Sequence, residues 1–369
     1  MLRTTRSLVA LFALLLLSLP ASALASHFRG GTITWTRTSS TSTTANFNIT
    51  HSWRVSPSIN LIYSSGGSSG GLSSTSLGTF TDSTGSTYTA YQSTTSQNFG
   101  TSTGSRTAHF VSCCRISNLQ DGWNDEYFRV ESVINFSGGN TASPAIGAPA
   151  LLQMVPNTGN SVSMSVVDPD PNESATCTFS TAGQSVGQSY PSGTNASTIF
   201  RPSWLSVSSN CVLTATPTGS APSLWAYAVR VTDSHGAVTT FDGMIELVSG
   251  SPPTCTGGGN FNVTVGQPFS TSFTGTNPTG GNVSFQITGQ PSGSTLSPTS
   301  GSSGTTSTFS WTPQAGDFGQ TYAATVIVTN SQNLQDTCPL GLTVPVNNPP
   351  TAEANGPYSG NKGSSISVT

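Results

Sequence analysis

An internal repeat constrains this chain more than any other feature. Thr216-Pro217 precedes Tyr227-Ala-Val-Arg-Val-Thr-Asp-Ser234, and Thr312-Pro313 precedes Tyr322-Ala-Ala-Thr-Val-Ile-Val-Thr-Asn-Ser331. Pro217 and Pro313 lie 96 positions apart, Asp233 and Asn330 97 apart. Ser-Pro252-Pro253-Thr254 recurs as Asn-Pro349-Pro350-Thr351 at the same interval. A period of roughly 100 residues, strand-like and punctuated by turn residues, predicts an all-β chain of tandem β-sandwich modules.

The N-terminus reads as a secretory leader over residues 1–25. Arg3 and Arg6 precede the apolar run Leu8 to Leu19, and Ala23-Leu24-Ala25 supplies a small-x-small cleavage site. No later segment approaches the roughly 20 apolar residues of a membrane helix, so the expectation is a secreted or cell-surface protein. Charged residues make up 7 % of the sequence, against roughly 25 % in an average protein. With a net charge of −3, the chain lacks the basic footprint of a nucleic-acid binder.

Past the leader, the alternation of apolar and polar residues divides the chain. Residues 26–138 predict a β-rich head, with strands at Thr32-Ile-Thr-Trp-Thr, Ala45-Asn-Phe-Asn-Ile-Thr and Tyr127 to Phe136. Gly138-Gly-Asn-Thr-Ala-Ser-Pro144 has the composition of a linker. Modules follow at 145–249 and 252–346, and residues 350–369 begin a fourth. Val162 to Val167 reads as one strand, and Asp233-Ser-His-Gly236 as a hairpin turn. Of six cysteines, Cys177 and Cys211 share one module and Cys255 and Cys338 the next, which suggests those pairings. Cys113 and Cys114 are adjacent; they form either a vicinal disulfide or two thiols.

Trp204-Leu, Thr216-Pro and Val231-Thr-Asp-Ser-His-Gly236 resemble the immunoglobulin-like and cadherin-like modules of large bacterial surface proteins. Phe309-Ser-Trp-Thr-Pro313 and Val328-Thr-Asn-Ser331 carry the likeness into the third unit. Ala354-Asn-Gly-Pro-Tyr358 is similar to the opening of polycystic-kidney-disease-type (PKD) domains. His27-Phe-Arg-Gly-Gly31 resembles the start of secreted multidomain proteins in which such a segment heads a β-rich domain before Ig-like repeats. The cadherin-like resemblance implies Ca²⁺ held by loop carboxylates, for which Asp168, Asp170, Glu173, Asp233 and Asp242 are available. The third unit departs from this pattern, with Asn330 in place of the aspartate and no Asp-Pro-Asp. Against the metal stands the use of Asp168 and Asp233 as turn formers.

Other chemistry is weaker. Asp121-Gly-Trp-Asn-Asp-Glu126 clusters acids without EF-hand spacing, and Trp123 there is either packed or free to stack on a sugar. An N-terminal copper site at His27, with His51 or His109, is broken by Ser26 standing ahead of it. No zinc-protease helix motif, nucleophile elbow or phosphate loop occurs, so no enzyme is expected. The expected function is adhesion or extracellular binding, with the Ig-like repeats as a stalk and a protein or glycan as ligand. The alternative is an accessory region, carbohydrate-binding or spacer, of an extracellular enzyme.

Overall fold

The computed structural model describes residues 27–345 apart from 56–57, 102, 171–172, 188–189 and 192. The expected leader at 1–25 and the expected start of a fourth module at 350–369 lie outside the described residues. The architecture is all-β, with sheets throughout and only a single α-helical turn, Ala182–Ser185, among the described residues.

The head is built on long strands whose alternation follows the sequence. Phe28–Thr36 pairs with Thr44–Trp53, which pairs in turn with Thr87–Asn98. Ser105–Ser112 pairs with Phe128–Asn135. Their inward residues form an aromatic core in which Phe28 stacks on Phe128 at 3.8 Å between ring centroids and lies 5.0 Å from Trp53. The run from Phe80 to Tyr91 is broken by a turn, because Asp82 Oδ1 accepts N–H bonds from Thr84 (3.0 Å) and Ser86 (2.9 Å). Val162 to Val167 is likewise two strands. Asn160–Ser163 pairs with Val212–Ala215, whereas Ser165–Val167 pairs with Ala145–Gly147. Met164, buried between them, marks where the chain changes sheet.

One strand joins the first two units. Val238–Leu247 is buried along all ten residues. One of its edges pairs with Ser223–Thr232 across the expected turn at 233–236. The other edge is divided among three partners. Val238 and Thr239 pair with Phe128–Asn135 of the head, Phe241 and Asp242 with Phe28–Thr36, and Met244 to Leu247 with Leu151–Met154. Head and second unit therefore share an 11-stranded sheet across the boundary drawn at 138–145.

The seam explains the glycine pair of the opening segment. A Cβ on Gly30 would stand 2.6 Å from the backbone oxygen of Asp242, too close for any other residue. Arg29 beside it is buried and reaches Asp82 Oδ2 at 3.4 Å. His27-Phe-Arg-Gly-Gly31 is thus the strand start that fits the seam. Asp242, Glu246 and Thr239 on the seam strand find partners across it, whereas the buried Thr240 Oγ1 has none. Asp242 forms a two-bond ion pair with Arg115 at 2.8 and 2.6 Å, with exposures of 0 % and 2 %. Glu246 accepts from Ser83 Oγ (2.6 Å), Ser83 N (3.2 Å) and Gln153 Nε2 (2.8 Å). Thr239 Oγ1 donates to Pro144 O at 2.6 Å.

The 138–144 segment is tied down rather than loose. Asn140 is 1 % exposed and donates to Asp233, and Ser143 N bonds Trp35 O at 2.9 Å. The third unit is a two-sheet sandwich. Thr254–Gly257, Phe269–Thr276, Thr305–Trp311 and Thr295–Ser297 make the four-stranded layer; the five-stranded layer centres on Thr321–Asn330 and Gln335–Thr343. It docks on both earlier units. Gln335 Nε2 donates to Thr81 O at 3.1 Å, Gln286 Nε2 to Thr79 O at 3.3 Å, and Gln335 N to Gln153 Oε1 at 2.7 Å. The stalk of separate beads expected from the repeat spacing is replaced by units that share a sheet or dock side by side, because their junctions carry strand pairing and buried polar bonds. Disulfides join Cys177 to Cys211, Cys255 to Cys338 and Cys113 to Cys114, so the vicinal alternative is the one realised.

Two substitutions test the seam. Gly30→Ala should cost about 1–3 kcal/mol through the clash with the Asp242 carbonyl. Arg115→Met, which strands a buried carboxylate, should cost about 3–5 kcal/mol. Urea denaturation of each variant measures both losses, and a change under about 0.5 kcal/mol would mean the seam does not carry stability.

Candidate metal centre

Asp168 directly follows the strand Ser165–Val167, and the chain bends at Asp170, where Glu173 N reaches Asp170 O at 3.4 Å. Asp233 sits at the start of the hairpin turn between Ser223–Thr232 and Val238–Leu247. These two loops meet. One carboxylate oxygen from each of Asp168, Glu173 and Asp233 lies within 4.8 Å of the other two.

Each acid is held differently. Asp233 Oδ1 accepts N–H bonds from His235 (2.9 Å) and Ala237 (2.8 Å), and its Oδ2 accepts from Asn140 Nδ2 (2.8 Å). Glu173 is ion-paired with His235 Nδ1 and accepts from Ser234 Oγ at 3.3 Å. Asp168 Oδ1 accepts from Asp170 N at 3.0 Å, while its Oδ2 is buried with no hydrogen-bond partner. Burial, followed by the neighbouring charges of Glu173, Asp233 and Asp170, pushes Asp168 up to about 7 against the pull of the Asp170 N–H. Burial also raises Glu173, with Asp233 adding to it, and burial raises Asp233.

The third unit provides a control. Asn330 Oδ1 accepts from Gln332 N at 2.9 Å and Leu334 N at 3.0 Å, the same two bonds that Asp233 Oδ1 makes. The turn is therefore built equally well by a neutral amide. The charge at Asp233 is not required by the turn, and in the second unit it faces two further carboxylates.

A divalent cation fits this donor set. Calcium bonds oxygen at roughly 2.3–2.6 Å, so two of its ligands stand no more than about 5 Å apart. Asp168 Oδ2 is the orphaned oxygen a cation would satisfy. Asp168, Glu173 and Asp233 would be its protein ligands, and the cation would supply charge neutralisation.

Two of the five acids named from the sequence stand apart from the group. Asp170 turns its carboxylate to the 138–144 segment, accepting from Thr141 N (2.8 Å), Ala142 N (3.0 Å) and the Thr141 hydroxyl. Asp242, included as an acid of the same module, is a correction: it lies on the buried seam strand with both oxygens on Arg115. Alternation along Val238–Leu247 did not reveal the head segment after Ser105–Ser112, bridged to Phe28, that brings Arg115 there. Asn140 and His235 were not singled out at all; the first lies in a segment of linker composition, the second in an ordinary turn.

The other candidates resolve structurally. Asp121 accepts from Trp123 N at 3.3 Å and from Ala226 N of the second unit at 2.7 Å, and Trp123 is buried against Phe200. His51 is 1 % exposed, and its Nδ1 accepts the Trp53 indole N–H at 2.7 Å. That leaves Nε2 protonated in the neutral ring and facing Ser93 Oγ (3.3 Å) and Ser74 Oγ (3.4 Å), the opposite of a base that activates serine. Burial lowers His51 to about 4.

Residues 29–137 match the family described as integrin beta-like protein A-E, N-terminal. A search of curated proteins finds no relative. Among solved structures, a chimeric titin Z1Z2 tandem is 16 % identical over 55 % of this chain and 98 % of its own, with a TM-score of 0.22. The eight N-terminal Ig domains of the Down syndrome cell adhesion molecule are 13 % identical over 80 % of this chain and 34 % of theirs, with a TM-score of 0.19. The human desmocollin-1 ectodomain is 11 % identical over 83 % and 66 %, also at 0.19. At these scores the likenesses carry no argument about arrangement.

The acid cluster has a pH signature of known sign. Asp168 titrates near 7 folded and at 3.8 unfolded, so the folded state holds the proton between those values. Its stabilising effect is fully present below 3.8 and is lost as pH rises through about 7. In chelator, wild type should therefore lose stability relative to Asp168→Asn across that window, measured by urea denaturation at successive pH values. Parallel pH profiles would show that Asp168 is not shifted.

Proposed function

We propose that this chain is an extracellular, adhesion-type modular protein that binds a ligand rather than transforming one, and that calcium at Asp168, Glu173 and Asp233 stabilises it. The convergence of those three carboxylates, one with a buried unpartnered oxygen, carries the calcium part of the reading. The integrin beta-like match over the head, the leader sequence and the three disulfides support the extracellular, adhesion-type part. Among the described residues no helix is long and apolar enough to cross a membrane.

The calcium has a structural place in this reading. Asp233 holds Asn140, and Asp170, beside Asp168, holds Thr141 and Ala142. The ion would thereby brace the segment that leads from the head into the second unit.

The test is thermal unfolding of the full chain in about 2 mM calcium and again in excess chelator. Ion bound only to the folded state, at the roughly 0.1–1 mM affinity of extracellular modules, adds about 0.6–2 kcal/mol. That should raise the melting temperature by a few degrees. Asp233→Asn, which keeps the turn bonds as Asn330 does but gives up the bond to Asn140, should fold with a lower baseline melting temperature and abolish the rise. An equal rise in wild type and variant would move the ion elsewhere, and no rise in wild type would end the calcium reading.

A further inference from the structure

The head and the third unit border an open cleft of about 570 Å³, which shares Thr34, Asn48, Gln92 and Thr321 with an inner chamber of about 90 Å³. Its floor is the outer face of the head sheet. Thr34, Asn48 and Thr94 lie side by side across three strands, as do Thr36, Asn46 and Ser96. Its wall comes from the third unit, where Gln320, Thr321 and Tyr322 face the floor. The wall is fixed in place. A Cβ on Gly147 would stand 2.3 Å from the Ala323 carbonyl oxygen, so the second unit abuts the third there. The Tyr322 ring is anchored by its hydroxyl on Asp317 Oδ1 at 2.6 Å and packs edge-on against Trp311.

The lining is uncharged. Among the described residues no Asp, Glu, Lys, Arg or His borders either part of the cleft. Its polar side chains are mainly amides and hydroxyls, which both donate and accept, and they alternate with apolar residues such as Leu77, Ile146 and Phe241. Two polar atoms in the inner chamber have no protein partner. Thr32 Oγ1, on a residue 7 % exposed, is one, and Gln290 Oε1 is the other.

We propose that this cleft is a binding site for a neutral oligosaccharide. Sugar hydroxyls donate and accept, as the lining does, and the unpartnered Thr32 and Gln290 atoms offer them hydrogen bonds at the inner end. A charged sugar would bring a carboxylate or sulfate into a site with no countercharge, which is unfavourable. A peptide is the poorer fit because Thr44–Trp53, at the centre of the floor, is already paired on both sides and has no ladder to offer. The inference gives a ligand class to the extracellular binding role proposed above and uses none of its calcium ligands, so the two fail separately.

Affinity electrophoresis of the full chain tests it, with glucomannan, xyloglucan or dextran in the gel and with polygalacturonate or gelatin as contrasts. At least one neutral polysaccharide should retard the chain, with and without chelator, and the contrasts should not. Gln92→Ala, on the solvent face beside Asn48, should weaken that retardation about tenfold at an unchanged melting temperature. Thr94→Ala, at an exposed floor position, repeats the test should the first variant fold poorly. The proposal is overturned by no retardation in any neutral polysaccharide, by retardation in polygalacturonate or gelatin alone, or by variants that bind like wild type. Binding to a neutral polysaccharide without a calcium shift would keep the cleft and remove only the metal.

Discussion

The arrangement of this protein depends on the pairing of Val238–Leu247. One edge of that strand belongs to its own module and the other is divided among two head strands and Leu151–Met154. Such sharing is demanding, because every residue of the strand is buried and several are polar. Arg115 meets Asp242, Ser83 and Gln153 meet Glu246, and Pro144 meets Thr239. Gln153 then extends the network to Asn333 and Gln335 of the third unit. Buried pairs of this kind add little net stability but make mispairing costly, which suits a junction that must form in one register.

The acid cluster is a second consequence of the same junction. The turn that reverses the chain into the seam strand presents Asp233, and the change of sheet around Met164 delivers Asp168 to meet it. The turn does not need the Asp233 charge for its own conformation, as Asn330 demonstrates in the third unit. Together the two loops concentrate negative charge in a half-buried place where all three acids are shifted toward the protonated form. Burial is the main cause of those shifts, with like charge adding to it at Asp168 and Glu173, and a cation that neutralised the group would relieve both.

Much of the fold was legible because it is local. The repeated Tyr-Ala strand with its Asp or Asn turn, the period between modules and the pairings Cys177–Cys211 and Cys255–Cys338 all follow from residues within one module. What alternation could not show is which edge a strand offers to a distant one. Residues 138–144 have the composition of a linker and are buried against Asp170 and Asp233 nonetheless. Asp242 reads as one more module acid until Arg115, 127 positions earlier, is seen beside it. In the acid cluster Asp168, Glu173 and Asp233 were visible as loop carboxylates, whereas Asn140 and His235, which hold two of them, carried no signal of their own.

The shared strand also sets an order of events during synthesis. The head strand Phe28–Thr36 leaves the ribosome about two hundred residues, and Phe128–Asn135 about one hundred, before the strand that seals the gap between them. Until then both carry open backbone edges, the kind that template association with a neighbouring chain. The seal is a long-range contact, slow to form because of the loop it closes. A nascent chain of this protein must therefore keep its first half from its neighbours until the second module arrives. The scarcity of charge leaves hydroxyl and amide side chains, rather than electrostatic repulsion, to do so.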